Sequence, residues 1–266
     1  MIHLSVICCG RAIPLLWDVL EHESATVAFS DYEKLLRKAR WLLREYNDVI
    51  LLADRAFACH DLMAWLKLTD WHYALRLKCD VLLHGVNRHP IEVGKLYPPM
   101  NQAKLLTRAF RGKLPPKTSL TNVGLWADGI HRANLVLGTF KGAKDSWAVI
   151  TDEVPSLQTL WNYSSRFCVE ELFLDSKSGA FGLEDSRLRH TDALKRLYLI
   201  AAVALLYATT TGMTVQITGL RTTVVGVASR NENPHWRRGL THIPHFGKVA
   251  SKKPNFASRQ SVSYDR

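Results

Sequence analysis

The sequence predicts an α/β fold, a mixed sheet with flanking helices, and three observations carry that reading. The apolar run Val49 to Ala53 ends abruptly in Asp54, as a strand buried in a parallel sheet does. A stretch of helical period precedes the run, and a short helix and a further strand follow it, the order that builds α/β sheets. Of the 266 residues, 47% are apolar, enough for a substantial core. The length suits one large domain, or one domain carrying an insertion.

Taken in order, Ile2 to Cys9 and Ala12 to Leu20 flank Gly10-Arg11 and predict a β-hairpin. Pro14 favours an edge or irregular position within it. A helix is expected to begin at Ser30, with Glu33 completing a capping box. Leu35, Leu36, Ala39, Leu42, Leu43 and Tyr46 supply its apolar stripe, and Asn47-Asp48 breaks it. After the Val49–Ala53 strand, Asp61 to Leu68 reads as a short helix, and Tyr73 to Lys78 alternates like a strand. Residues 1–80 thus form the first part of the main domain. From 81 to 152, prolines, glycines and short apolar stretches suggest a β-rich insertion. Ser156 to Lys177 and Thr191 to Ala208 are helical, so residues 153–215 return to the main domain. Residues 216–266 form an extension, polar and basic from Ser251 and expected to be disordered. The sequence holds no internal repeat.

Lysine and arginine exceed aspartate and glutamate, 35 against 24, for a net charge of +11. Such an excess favours a polyanionic partner, nucleic acid above all. Cys8, Cys9, Cys59, Cys79 and Cys168 are odd in number and lack zinc-site spacing, which points to a reducing compartment and small core residues. The start does not have the form of a secretory signal. The apolar run Leu197 to Ala208 is shorter than the roughly 20 residues a membrane span needs, so it is read as a buried helix with no membrane role.

Two short segments carry chemistry. Asp54 ends a buried strand, at the rim where α/β sheets place ligands. Tyr163, Arg166, Glu170 and Lys177 fall within an arc of roughly 60° if the segment is one continuous helix. Trp161, Cys168, Val169 and Leu172 lie near the opposite side. If Glu170 comes beside Asp54, the carboxylates make an oxygen site for Mg²⁺ or Mn²⁺. Paired metals activate a water or a 3′-hydroxyl against a phosphodiester. Arg166, Lys177 and the Tyr163 hydroxyl would then hold neighbouring phosphates. Read singly, each motif has a plainer meaning: Asp54-Arg55 as a turn, and Arg166 with Glu170 as an i,i+4 pair on a solvated face. Both motifs, in this order on a basic chain, favour the catalytic meaning.

Tyr163-x2-Arg166-x3-Glu170-x6-Lys177 resembles the signature of bacterial insertion-sequence transposases of the DDE class, the IS-four group. Leu52 to Phe57 is similar to that group's second acidic motif, and Arg11 to Trp17 and Phe181 to Arg187 are further local matches. The likeness extends from near the start to about residue 210. It implies a ribonuclease H-like fold, hydrolytic nicking of double-stranded DNA at transposon ends, and strand transfer by the freed 3′-hydroxyl. It also implies a homodimer on paired ends in the bacterial cytoplasm, at the nucleoid. Asp54 and Glu170 would be metal-binding catalytic carboxylates. Tyr163, Arg166 and Lys177 would be DNA contacts. Glu170 is preferred over Glu171, which lies about 100° away around the helix.

One departure stands out. The family's first aspartate lies on the first strand of the sheet, yet no aspartate precedes Asp18 here. Ile2 to Cys9 resembles the second strand. The chain is therefore expected to be N-terminally shortened and catalytically impaired, from a truncated element or a late start. The alternative is a non-catalytic DNA-binding remnant that inhibits transposition by pairing with full-length copies. A metal-dependent nuclease without strand transfer is a third reading. By the resemblance, Trp126 or Trp147 could stack on a base, although a core role suits either better. Lys141, Lys144, Arg237 and Arg238 are candidate phosphate contacts that read more simply as solvated. His242 and His245 lack further metal ligands, and Asp185 and Arg187 read as structural.

Overall fold

A computed structural model describes residues 1–8, 10–20, 27–86, 88–97, 118–138, 145–177, 182–188 and 190–217. Strands β1 (Ile2–Cys8) and β2 (Arg11–Asp18) form the expected antiparallel hairpin. Gly10 turns the chain at φ 77°, a left-handed conformation that costs glycine little. The register slips between Leu4 and Ser5, where Ser5 faces Pro14. Proline has no N–H to give the ladder, so the irregularity falls where the sequence places it.

Helix α1 (Phe29–Leu42) buries Tyr32, Leu35, Leu36 and Ala39. Two expectations about it fail. Ser30 lies inside the helix, and the start is held instead by Asp31, whose carboxylate accepts from the Ala28 amide at 2.9 Å. Glu33 bonds Arg37. The far end of the stripe is solvent-facing, with Leu42 41% and Tyr46 68% exposed, because the helix stops at Leu42.

The larger sheet begins with β3 (Ile50–Ala53), α2 (His60–Lys67) and β4 (His72–Arg76). Strands β3 and β4 are parallel, with Ala53 opposite Leu75, as the apolar run predicts. The chain continues through β5 (Leu82–His84), β6 (Ile91–Glu92), β7 (Ser119–Leu125), β8 (His131–Gly138) and β9 (Trp147–Thr151). These join β3 and β4 in one mostly antiparallel sheet, ordered β3-β4-β9-β8-β7-β5-β6. The strands of residues 81–152 therefore continue the same sheet.

Helices α3 (Leu157–Ser164), α4 (Phe167–Lys177) and α5 (Thr191–Ile217) follow. Alternation sorts the sheet's side chains between two cores. Leu51, Tyr73, Leu75 and Leu77 meet α1 and α2, while Leu52, Ala74, Val136 and Val149 meet Leu160 and Tyr163 of α3. Gly138 lets α3 come close, since a Cβ there would lie 2.5 Å from a Leu160 methyl. The hairpin forms its own two-stranded sheet. Ala12 and Ile7 pack with Cys168, Leu172 and Leu205 of α4 and α5.

Helix α5 overturns the reading of a short buried helix. It is 27 residues long, and only Tyr198, Ala201 and Ala202 of its middle are buried. Leu199, Ile200, Val203, Leu206 and Tyr207 are exposed. By length and composition Thr191–Thr214 is long and apolar enough to cross a membrane.

Candidate functional site

Parallel pairing of β3 and β4 brings their C-terminal ends to one rim. Leu52 and Ala74 both face α3, so Asp54 and Arg76, two residues further on, return to that side. Asp54 is half-buried, and its Oδ1 accepts from the Arg55 amide at 2.7 Å, while its carbonyl accepts from Phe57. The turn reading of this segment is thus real. It also fixes the carboxylate at the rim.

The expected single helix from Ser156 to Lys177 is broken. Ser165 and Arg166 form a turn between α3 and α4. Ser164 Oγ donates to the Trp161 carbonyl at 2.7 Å, and Ser165 Oγ reaches the same oxygen. These hydroxyls compete for an acceptor the helix ladder needs. The backbone tightens accordingly, with Arg166 N bonding Tyr163 O at 3.0 Å and Val169 N bonding Arg166 O at 2.9 Å. The angular count that put four side chains on one exposed face does not survive this break.

Tyr163 shows the consequence most plainly. It is 0% exposed and packs edge-on against Trp147 at 5.3 Å between centroids. Among the described residues its hydroxyl makes no well-formed hydrogen bond, although Arg166 approaches it. Burial raises its pKa above the usual tyrosine value, partly offset by the approach of Arg166. Arg166 lies just outside, its side chain 13% exposed. The guanidinium sits 4.9 Å from the Phe167 ring centroid and 5.7 Å from that of Tyr163.

Arg166 is the centre of the cluster. It donates to Glu170 Oε1 at 2.7 Å. Burial acts to lower its pKa, but Tyr163, Asp54 and Glu170 outweigh burial and raise it. One cation thus feels both carboxylates singled out in the sequence. Glu170 is 53% exposed. Glu171 turns to the hairpin, 3.7 Å from Arg11, beside Asp175 at 3.3 Å. Lys177 is exposed at the end of α4, roughly 10 Å along the axis from Glu170.

The sequence reading missed Arg76. Its side chain is 12% exposed and lies 3.7 Å from Asp145, and its Nε has no hydrogen-bond partner among the described residues. It also acts on Tyr163. The usable signal was its position: the terminal residue of the strand paired with the Asp54 strand.

No group of three His, Cys, Asp or Glu suited to a metal occurs among the described residues. Asp54 and Glu170 are two oxygen donors, and both already accept hydrogen bonds within the chain. A pair of divalent ions needs bridging carboxylates beyond these. The donor set therefore does not fit a complete two-metal centre, and it fits at most part of one.

Trp147 is a core residue, 5% exposed and stacked on Phe167. Trp126 is half-buried in a left-handed turn, φ 63°, against His60 at 4.2 Å. Cys9, Lys141, Lys144, Phe181, Arg237, Arg238, His242, His245 and the tail from Ser251 lie outside the described residues. A family model described as the transposase DDE domain matches residues 3–207. No curated protein matches the chain.

Proposed function

Because the chain belongs to the transposase DDE domain family, we propose that it engages insertion-sequence ends through the rim around Arg166 but performs little or no catalysis by itself. The family has DNA as its substrate and divalent metal as its usual cofactor. The observation that carries the reading is one largely buried guanidinium bonded to Glu170 at 2.7 Å, on the side of the sheet to which Asp54 returns. In this reading Asp54 and Glu170 are the second aspartate and the glutamate of the catalytic set, in the manner of the IS-four group. Asp54 and Glu170 would supply two of the oxygen ligands of a Mg²⁺ or Mn²⁺ site whose remaining donors are not found among the described residues. Arg166 holds Glu170 in place and presents its outer N–H groups to a phosphate. Lys177 gives a second phosphate contact further along α4. Tyr163 supports Arg166 from beneath.

The short donor set goes with two open sheet edges. Strand β3 pairs only with β4, and β1 only with β2, so each leaves one edge without a strand partner among the described residues. In a ribonuclease H-like sheet, a strand carrying the first aspartate runs between such edges. Unpaired backbone groups there are costly, and with two carboxylates at the rim they support the reading of a site with little catalysis of its own.

The test is a nicking assay with purified chain, Mg²⁺ or Mn²⁺, and duplexes bearing the DNA that flanks its gene. The expected result is binding without cleavage or joining. Robust metal-dependent turnover would defeat the reading. The remnant alternative, inhibition by pairing with a full-length copy, rests on the same incomplete carboxylate set. It predicts fewer transposition events when the chain is co-expressed with an active homologous element, and unchanged events would exclude it.

A further inference from the structure

We propose that the outer face of α1 is a second DNA-docking surface, separate from the Arg166 rim and bound to the phosphate backbone of duplex DNA. The proposal rests on the reading of the chain as a DNA-handling protein. Helix α1 packs on the opposite side of the large sheet from α3. Its outer side carries Lys34, Arg37, Lys38, Trp41 and Arg44 at helical spacing, with Arg40 at one margin, about 160° around the axis from Lys38, all exposed. Lys34 to Arg44 covers about 15 Å of helix axis. That is the length of about four phosphates on one strand of B-form DNA.

Some of this charge is already used and some is not. Arg37 is held by Glu33 at 2.7 Å, and Arg44 lies 3.6 Å from Glu45. Lys34, Lys38 and Arg40 form no ion pair among the described residues. Asp18, on which Lys38 acts, is bonded by Lys195 at 2.7 Å. The indole of Trp41 is 65% exposed, with the Arg44 guanidinium 4.6 Å above its centroid. Beside it, Leu16, Arg37, Lys38, Trp41 and Leu42 line an open groove of about 400 Å³. Unspent cations flanking an exposed aromatic over a shallow apolar groove suit a phosphate backbone, with the indole against deoxyribose.

The experiment measures binding of a random-sequence 30-base-pair duplex by fluorescence anisotropy across a salt series. The chain is compared with a Lys34→Ala, Lys38→Ala, Arg40→Ala triple variant and with Trp41→Ala. These side chains are exposed, so thermal melts should be unchanged, which checks the fold. The triple variant is expected to lose at least tenfold in affinity. Its log K against log salt slope should fall by about 2 to 3, roughly 0.9 per lost phosphate contact. Trp41→Ala should weaken binding with the slope unchanged. Unaltered affinity and slope in the triple variant, with normal binding by the parent, would overturn the proposal and leave the rim reading standing. A parent that binds no duplex would overturn both. Anionic phosphatidylserine vesicles are the control: binding to them that depends on the same residues, with DNA binding unaffected, would reassign the face to a membrane surface.

Discussion

The large sheet and the β1–β2 hairpin are made of similar apolar strands and are held in different ways. In the sheet, β4, β9, β8 and β7 have partners on both edges, and Leu75, Leu125, Leu135, Val136, Val149 and Ile150 are wholly buried. In the hairpin each strand has one partner, and among its apolar residues Ala12 alone reaches full burial. Its position comes from helices: Arg11 binds Glu171 and Asp175 of α4, and Asp18 binds Lys195 of α5. The seam is also poorly satisfied. Both His3 ring nitrogens and Ser5 Oγ are buried there without hydrogen-bond partners among the described residues. A strand ladder sets the first region, and borrowed helix contacts set the second. Helix α4 links them, with Glu170 serving the rim and Glu171 the hairpin.

Cutting equal amounts of side chain from the two regions should separate them most. Leu135→Ala should cost about 2–5 kcal/mol, because the paired strands around it cannot collapse into the void. Ile7→Ala in the half-buried hairpin should cost less than half of that. Urea midpoints with unchanged m-values decide the matter. Equal losses would mean that the hairpin is as firmly built as the sheet.

The next effect separates the regions by pH. Burial, aided by the amino-terminal charge, pushes the His3 pKa down to about 4. The unfolded chain then takes up a proton near 6.5, which the folded seam refuses. The contribution of His3 is full above about pH 6.5 and falls as pH drops towards 4, by about 2 kcal/mol at pH 5. His3→Phe should flatten that acid slope, since Phe173 and Tyr198 already surround the ring at 4.4 and 6.2 Å. An unchanged slope in the variant would remove His3 from the account.

Tyr163→Phe is a sharper and smaller test of the rim. Removing a buried hydroxyl that makes no well-formed hydrogen bond should leave stability unchanged, or raise it by up to about 1 kcal/mol. Duplex affinity should stay the same, because the hydroxyl lies in the core. A clear loss of DNA binding would instead restore the phosphate contact that the residue spacing suggested.

What the sequence disclosed follows the same division. Strand β3, its parallel pairing and the hairpin were legible, because apolar runs bounded by Gly10, Pro14, Asp48 and Asp54 leave little choice. The break at Ser165-Arg166 was not, because it depends on serine hydroxyls taking the Trp161 carbonyl, which periodicity does not register. The far end of α5 was not legible either: a helix ending at Ala208 was expected, and it runs on to Ile217. Asp54 and Glu170 were visible as types at a spacing. Arg76 was not, since a lone arginine gains meaning only from the strand beside it.

The smallest effect lies in the sheet and has the opposite sign to that of His3. His72 Nδ1 is 2.6 Å from Asp152 Oδ2, and Asp152 also accepts from the Tyr73 amide at 3.0 Å, tying β4 to the end of β9. The hydrogen bond with Asp152 raises the His72 pKa, against a lesser effect of burial. A raised histidine stabilises the fold when protonated, so its contribution is complete below about pH 6.5 and is lost as pH rises through the folded value. Both groups are more than a third exposed, which keeps the effect small through solvent screening. Asp152→Asn should return the His72 titration, followed by its ring proton resonances, to the ordinary range, while the amide capping of Tyr73 persists. Urea midpoints of the parent should then decline slightly more than those of the variant between pH 6 and 8. If both decline equally, the pair holds the sheet by geometry alone, with no contribution from a charged imidazolium.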